Sequence, residues 1–379
     1  MSEKDINKKA FDEGTLLKLK IFQECFREWF PVFLYTPGIE RICIYDLFAG
    51  SGYDTEGNPG SPIILLEEAR GNEYQHCSRL NQCKNLKVIF GFNEKNKKKA
   101  TLLRENVERS QVSCKSKCPL RVEDCVMSRT AVASQTFDEI TQSIRFNAFM
   151  QDEKTAKFLL LDQYGIKEIT ETVFLSLISC PKTDFIFFIS SSTIRRFSNE
   201  PSIKKYFETE KIDFDNSKPK ECHRLIADYY RSLIPHDKEY YLHSFTIKKD
   251  ANFYGLIFGS SHSLGMEKFL KVCWKYDKYS GDSNCNLDED HDFGILFEGS
   301  GTRHKIDAVK KEIREAVLSG TISSNKEGLL FALKKGCLPI VFVEVIQELK
   351  KNGEITISGI FNRQSTKIHQ VPEYHITRP

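Results

Sequence analysis

The stretch 42–62, ICIYDLFAGSGYDTEGNPGSP, restricts the fold more than any other part of the chain. Four β-formers, Ile42 to Tyr45, run into Asp46-Leu47-Phe48-Ala49-Gly50-Ser51-Gly52. An apolar run that stops at a glycine-bearing turn is the pattern of a buried parallel strand feeding a loop. Glycine lets such a turn tighten and lets a ligand approach the backbone, because no Cβ intervenes. The spacing is not Gly-x-Gly-x-x-Gly, since the glycine after Gly52 is Gly57, and an acidic residue, Asp46, precedes the turn. That version suits a ligand with a cationic or hydroxyl-rich end, such as S-adenosylmethionine, better than a pyrophosphate. An ordinary strand-to-loop turn is the alternative reading of the same residues.

Further strand ends extend the pattern. Residues 86–92 form a second strand ending at Asn93-Glu94, and an acid there accepts hydrogen bonds from ribose hydroxyls. Residues 119–126 read as a third strand, with Asp124 placed near an adenine. Residues 158–161 are continuously apolar, as expected of a central strand covered on both faces. They end in Asp162-Gln163-Tyr164-Gly165. Ligands of open α/β sheets bind outside the carboxyl ends of strands, so these residues share the crevice of Gly50 and Gly52. Asp162 can accept from an amine or hydroxyl, Tyr164 can stack on a base, and Gln163 offers a donor and an acceptor. After a strand at 183–190, Arg195 and Arg196 can meet phosphate or end a helix. Strands at 240–249 and 253–259 make an antiparallel closing pair. His262, in the loop that follows, is a candidate base or plain surface polarity. Helices are expected at 11–34, 63–69, 95–107 and 136–148. Residues 72–86 read as an irregular excursion and 199–235 as a helical insert.

The residues Asp46, Phe48-Ala49-Gly50, Gly52, Gly57 and Gly60-Ser61-Pro62 resemble the signature of the three-Cys-motif partner (TcmP) family. Thr15-Leu16-Leu17-Lys18 resembles that family's Thr-x-x-Lys entry helix. The resemblance implies a Rossmann-like class I methyltransferase fold, a mostly parallel sheet with an antiparallel closing strand. It also implies S-adenosylmethionine as cofactor. Lys18, Asp46, Phe48, Ala49, Gly50, Gly52, Ser61, Glu94 and Asp124 are the candidate cofactor residues. Asp162, Gln163 and Tyr164 are the candidate catalytic group. Asp162-Gln163-Tyr164-Gly165 resembles the Asp-Pro-Phe-Gly of that family and the Asp-Pro-Pro-Tyr of amino-methyltransferases. Gln163 replaces the proline, which loosens the backbone there and leaves open a site that binds without catalysing.

Composition narrows the setting. No apolar run approaches the length of a membrane span, and the polar start is not a signal peptide, so a cytoplasmic protein is expected. Net charge is +3, from 55 Lys+Arg against 52 Asp+Glu, so overall charge does not argue for nucleic acid. The 12 cysteines are scattered and are expected to be reduced. His76, Cys77, Cys83, Cys114 and Cys118 form the one conceivable metal set, but their spacing is off the zinc pattern.

The chain divides into a methyltransferase-like domain at 1–275, a linker at 276–303 and a small domain at 304–379. The last carries 12 Lys+Arg against 8 Asp+Glu. Three helices followed by a hairpin of 354–361 with 365–371 predict a winged helix, with 339–351 as its third helix. The functional expectation is an S-adenosylmethionine-dependent methyltransferase acting on an amino group of an RNA or DNA base. The alternatives are a non-catalytic partner that binds a nucleotide or nucleic acid or docks a radical-type enzyme, or an adaptor working through its winged helix.

Overall fold

The computed structural model describes residues 10–378 except 84, 121–124, 164, 289–303 and 362–365. Helix α1 (Glu13–Leu34) comes first, capped by Asp12, whose side chain accepts from Thr15 N at 2.9 Å. Its apolar stripe, including Phe22, Phe26, Trp29 and Phe30, is buried against the sheet.

The sheet has seven strands: β1 (Arg41–Asp46), β2 (Lys87–Asn93), β3 (Thr130–Ala133), β4 (Thr155–Leu161), β5 (Thr183–Ile189), β6 (Tyr241–Lys249) and β7 (Asn252–Ser260). Their order is β3-β2-β1-β4-β5-β7-β6. β1 to β5 are parallel, and β7 pairs antiparallel with both β5 and β6. This is the Rossmann-like α/β sheet with an antiparallel closing pair that the sequence leads one to expect. All seven residues of β4 are buried, as a central strand between two helical layers requires. One of them is Lys157, whose ammonium donates to Met150 O at 2.8 Å and Asp152 O at 2.9 Å.

Connecting helices cover both faces: α2 (Ser61–Arg70), α3 (Gln75–Gln82), α4 (Lys97–Lys117), α5 (Phe137–Thr141), α6 (Ile144–Gln151), α7 (Glu171–Ser179), α8 (Ser191–Arg196), α9 (Pro201–Lys204), α10 (Cys222–Ser232) and α11 (Ser263–Tyr276). Two apolar cores result, one under α1, α2 and α4, the other under α7 and α10.

Several expectations need correction. The third strand is Thr130–Ala133, not 119–126, because the short Ala-Val-Ala run supplies the ladder to β2. The excursion at 72–86 contains α3, which buries His76, Cys77 and Leu80. The helix expected at 136–148 is two helices broken at Gln142-Ser143, the first capped by the Thr136 side chain, which accepts from Glu139 N. The first part of the expected linker is folded onto the sheet: Thr246 N donates to Asp282 O at 2.7 Å, and Asn284 N to Thr246 O at 3.2 Å.

Three C-terminal helices, α12 (His304–Ser319), α13 (Asn325–Lys334) and α14 (Ile340–Lys351), precede a two-stranded antiparallel ribbon. The ribbon pairs β8 (Thr356–Ser358) with β9 (His375–Thr377), so the partner strand lies beyond 365–371. Helix α14 buries Val341, Phe342, Val343, Val345, Ile346 and Leu349 in its own core. That core also takes Tyr241 of β6 and Met266 and Leu270 of α11, so the helices are fused to the sheet body. Trp274 Nε1 donates to Gly336 O at 3.0 Å across the same junction.

Candidate functional site

In the strand order, the chain leaves β1 toward β2 on one side and β4 lies on the other. This is the topological switch point at which open α/β sheets form a crevice. Two loops reach it, the glycine turn after β1 and the segment that starts at Asp162 after β4.

The glycine turn is held from inside. Asp46 is fully buried; its Oδ1 accepts from Phe48 N at 3.1 Å and its Oδ2 from Ser61 Oγ at 2.6 Å. Burial pushes the Asp46 carboxyl up to about 7, against the pull of those two hydrogen bonds. Asp46 and Ser61, both expected at the cofactor, instead tie the end of β1 to the first turn of α2. Ala49 is buried, and its N–H donates to Asn93 O at 2.8 Å. Phe48 is half-buried and stacks on Phe137, with centroids 5.5 Å apart. Gly50 and Gly52 have φ of 64° and 91°, the left-handed region that favours glycine. Glu94 Oε2 accepts from Gly50 N at 3.1 Å, and its Oε1 from Asn96 N at 2.7 Å. The amides of residues 48, 49 and 50 are therefore all engaged internally, so these three offer a phosphate nothing.

Asp54, which the sequence reading passed over, steadies the other end of the loop. It accepts from Phe11 N at 2.8 Å, Glu56 N at 2.9 Å, Asn58 N at 2.8 Å and Asn58 Nδ2 at 2.7 Å. Burial pushes its carboxyl up, but these donors prevail and hold it at about 2. The contact to Phe11 ties the glycine loop to the chain entering α1. A turn residue with several local donors is visible only once the loop is folded.

Lys18 of α1 is buried, and its Nζ meets Asp162 Oδ2 at 2.5 Å. The ammonium also lies over the Phe188 ring, 4.6 Å from its centroid. Lys18 and Asp162 are each close enough to Asp46 to influence its titration. The structure thus brings Lys18, Gly50, Gly52, Glu94 and Asp162 to one crevice, with Asp46 buried beneath it.

Gln163 is buried, and its amide serves the backbone. Nε2 donates to Phe188 O at 3.3 Å, and Oε1 accepts from Glu168 N at 3.0 Å. It joins the ends of β4 and β5 and stiffens a segment that lacks the proline. Tyr164 and Asp124 lie outside the described residues. Arg195 donates to Phe214 O and Ser217 O, and Arg196 to Asn252 Oδ1, so both brace the insert and the closing strands. His262 caps α11, accepting from Leu264 N at 3.1 Å through Nδ1. Among the described residues no group of three or more His, Cys, Asp or Glu is arranged to hold a metal ion, and all twelve cysteines are free.

The side chains at the crevice offer one ammonium and two carboxylates. An ammonium binds a carboxylate, and a carboxylate beside a glycine turn binds hydroxyls. This set fits an amino-acid-bearing nucleoside such as S-adenosylmethionine, and it does not fit a pyrophosphate.

No family model matches the chain, and no curated protein matches it in sequence. Solved structures overlap part of it. They include TYW2 from M. jannaschii in complex with AdoMet, at 11% identity and TM-score 0.32, covering 67% of this chain and 78% of that one. Trm1 from Pyrococcus horikoshii with S-adenosyl-L-methionine overlaps at 10% identity and TM-score 0.31, covering 69% and 62%. The B. subtilis tRNA methyltransferase TrmK overlaps at 10% identity and TM-score 0.27, covering 76% and 85%. Overlap at this level bears on neither substrate nor site residues. No helix among the described residues is long and apolar enough to cross a membrane.

Proposed function

We propose that the chain is an S-adenosylmethionine-dependent methyltransferase whose acceptor is an amino group of a nucleic-acid base. The observation that carries the reading is the meeting of Lys18 and Asp162 at the switch point of a β3-β2-β1-β4-β5-β7-β6 sheet, beside the Gly50–Gly52 turn and Glu94. Lys18 would hold the cofactor's carboxylate and Glu94 its ribose hydroxyls. Gly50 and Gly52 supply the left-handed backbone that shapes the turn. When bound, the cofactor supplies a sulfonium-activated methyl group, so the protein's task is positioning rather than strong acid–base catalysis. Asp162 accepts an N–H of the acceptor amine and orients its lone pair. A base that starts in a duplex has to be flipped out to reach Asp162. The resemblance to the TcmP family and a cytoplasmic setting belong to the same reading.

The buried face of α14 is its apolar one, and its exposed residues include Glu344 and Lys351. Nucleic-acid contact in this reading falls to the rim of the crevice, where Lys95 precedes α4 and Lys97 and Lys98 open it.

A second reading, a non-catalytic binding partner, draws on Gln163 and Asp162. The Gln163 amide is committed to the backbone, and Asp162 is neutralised by Lys18. Calorimetric titration with S-adenosylmethionine, with Gly50→Arg as control, tests the shared cofactor site. Transfer of labelled methyl to RNA or DNA, abolished in Asp162→Ala, separates the two. Saturable cofactor binding with no transfer to either polymer would favour the non-catalytic reading.

A further inference from the structure

The Lys18–Asp162 pair sits where a carboxylate-bearing ligand and an amine acceptor both have business. Lys18 is anchored by a helix whose neighbouring residues Leu19, Ile21 and Phe22 are buried, so its stem has little freedom. Its side chain is 10% exposed, and that of Asp162 is 21% exposed. A nearly buried ammonium left without a counter-charge is strongly disfavoured, whereas trading one carboxylate for another keeps it paired. The Phe188 face steadies the ammonium without competing for its protons. Asp162, by contrast, is held by the Lys18 ammonium, and as long as Lys18 holds it the carboxylate is a poor acceptor for an incoming amine.

We propose that this ion pair exchanges partners. A ligand carboxylate entering the crevice takes the Lys18 ammonium, and the Asp162 carboxylate thereby released becomes the acceptor for the substrate amine. No bond is made or broken in the exchange; one hydrogen-bonded ion pair replaces another. The consequence is an order of binding: the carboxylate-bearing cofactor first, the amine acceptor second. This rests on the reading of the crevice as an S-adenosylmethionine site.

The test is calorimetric binding of S-adenosylhomocysteine and of methylthioadenosine, which lacks the amino-acid end, to the full chain. Three proteins are compared: wild type, Lys18→Met and Asp162→Asn. Wild type is expected to prefer S-adenosylhomocysteine by about tenfold or more, the scale of a charge-assisted hydrogen bond. Lys18→Met should erase that preference while methylthioadenosine affinity stays. Asp162→Asn should tighten S-adenosylhomocysteine several-fold and leave methylthioadenosine unchanged, because the competing carboxylate is gone. A merely structural ion pair would weaken both ligands together in both variants. If Asp162→Asn leaves the preference unchanged or lowers it, partner exchange is overturned while the cofactor site stands. If wild type binds neither ligand, the cofactor site itself falls, and the exchange with it. Should Lys18→Met fail to fold, the Asp162→Asn result decides alone.

Discussion

Ser61 Oγ donates to Asp46 Oδ2 at 2.6 Å, joining the last residue of β1 to the first residue of α2 beneath the glycine turn. The bond explains why an acid and a Gly-Ser-Pro step frame this loop. Gly60 frees the entry, Pro62 suits the first helical turn, and Ser61 supplies the donor that a buried carboxylate needs. Ser61→Ala removes that donor. We expect a loss of about 1–3 kcal/mol in denaturant unfolding, with a larger loss at pH 8 than at pH 5, where Asp46 is protonated.

The pH dependence of stability has a defined sign. Burial raises Asp46 to about 7, and burial raises Asp184 to about 6 despite hydrogen bonds from Ser260 and Trp29. The unfolded chain gives up both protons near the ordinary aspartate value, while the native protein keeps them to higher pH. Between those limits the native state binds more protons, so these two groups make stability fall as pH rises from about 4 and level off above about 7. Denaturation midpoints measured from pH 4 to 8 should decline across that window, and Asp46→Asn should flatten the decline. A slope unaltered by that variant would show that Asp46 titrates normally.

Gly52 combines a φ of 91° with tight surroundings: an added Cβ would lie 3.3 Å from Leu103 Cδ1 and 3.4 Å from Asn106 Cβ. Gly52→Ala is expected to cost about 1–3 kcal/mol, from the backbone strain and from pressure on α4. The Asn106 Nδ2 bond to Ser51 O, at 2.8 Å, would be disturbed with it. Thermal melting reads the stability loss, and nucleoside binding reads whether the turn has shifted.

Removing the C-terminal helices should not leave a stable sheet body. Tyr241, Met266 and Leu270 are buried in the core shared with α12, α13 and α14. Truncation after residue 303 would uncover them, and we expect aggregation. Leu270→Ala in the full chain should cost about 2–5 kcal/mol. Trp29 lies in the sheet body and Trp274 at the junction. Unfolding followed separately in Trp29→Phe and Trp274→Phe variants should give coincident transitions; well-separated midpoints would mean two independent units.

Much of this arrangement is legible in the residues. The continuous apolar runs at 42–45, 158–161 and 185–189 mark central strands, because a strand covered on both faces has no polar side to show. The glycines after β1 mark the turn, because few residues other than glycine adopt those dihedrals readily. Asp162 at the end of β4 and Glu94 after β2 are likewise readable from where their strands stop. The third strand was misplaced because four residues of small side chain, Thr130–Ala133, carry little periodicity, and their assignment depends on pairing with β2.

What the tertiary structure alone decided is which polar groups are free. Asp46, Ser61, Gln163, Arg195 and His262 carry chemically able side chains, yet each is engaged by the fold itself. Their partners lie 2 to 22 residues away for most of these bonds, and they become partners only when strands and helices are assembled. The pairing of Lys18 with Asp162 spans 144 residues. Neither kind of contact can be read from the residues alone, because hydrogen-bond saturation is a property of the packed interior, where an unmade bond is costly and most donors are claimed by a nearby acceptor.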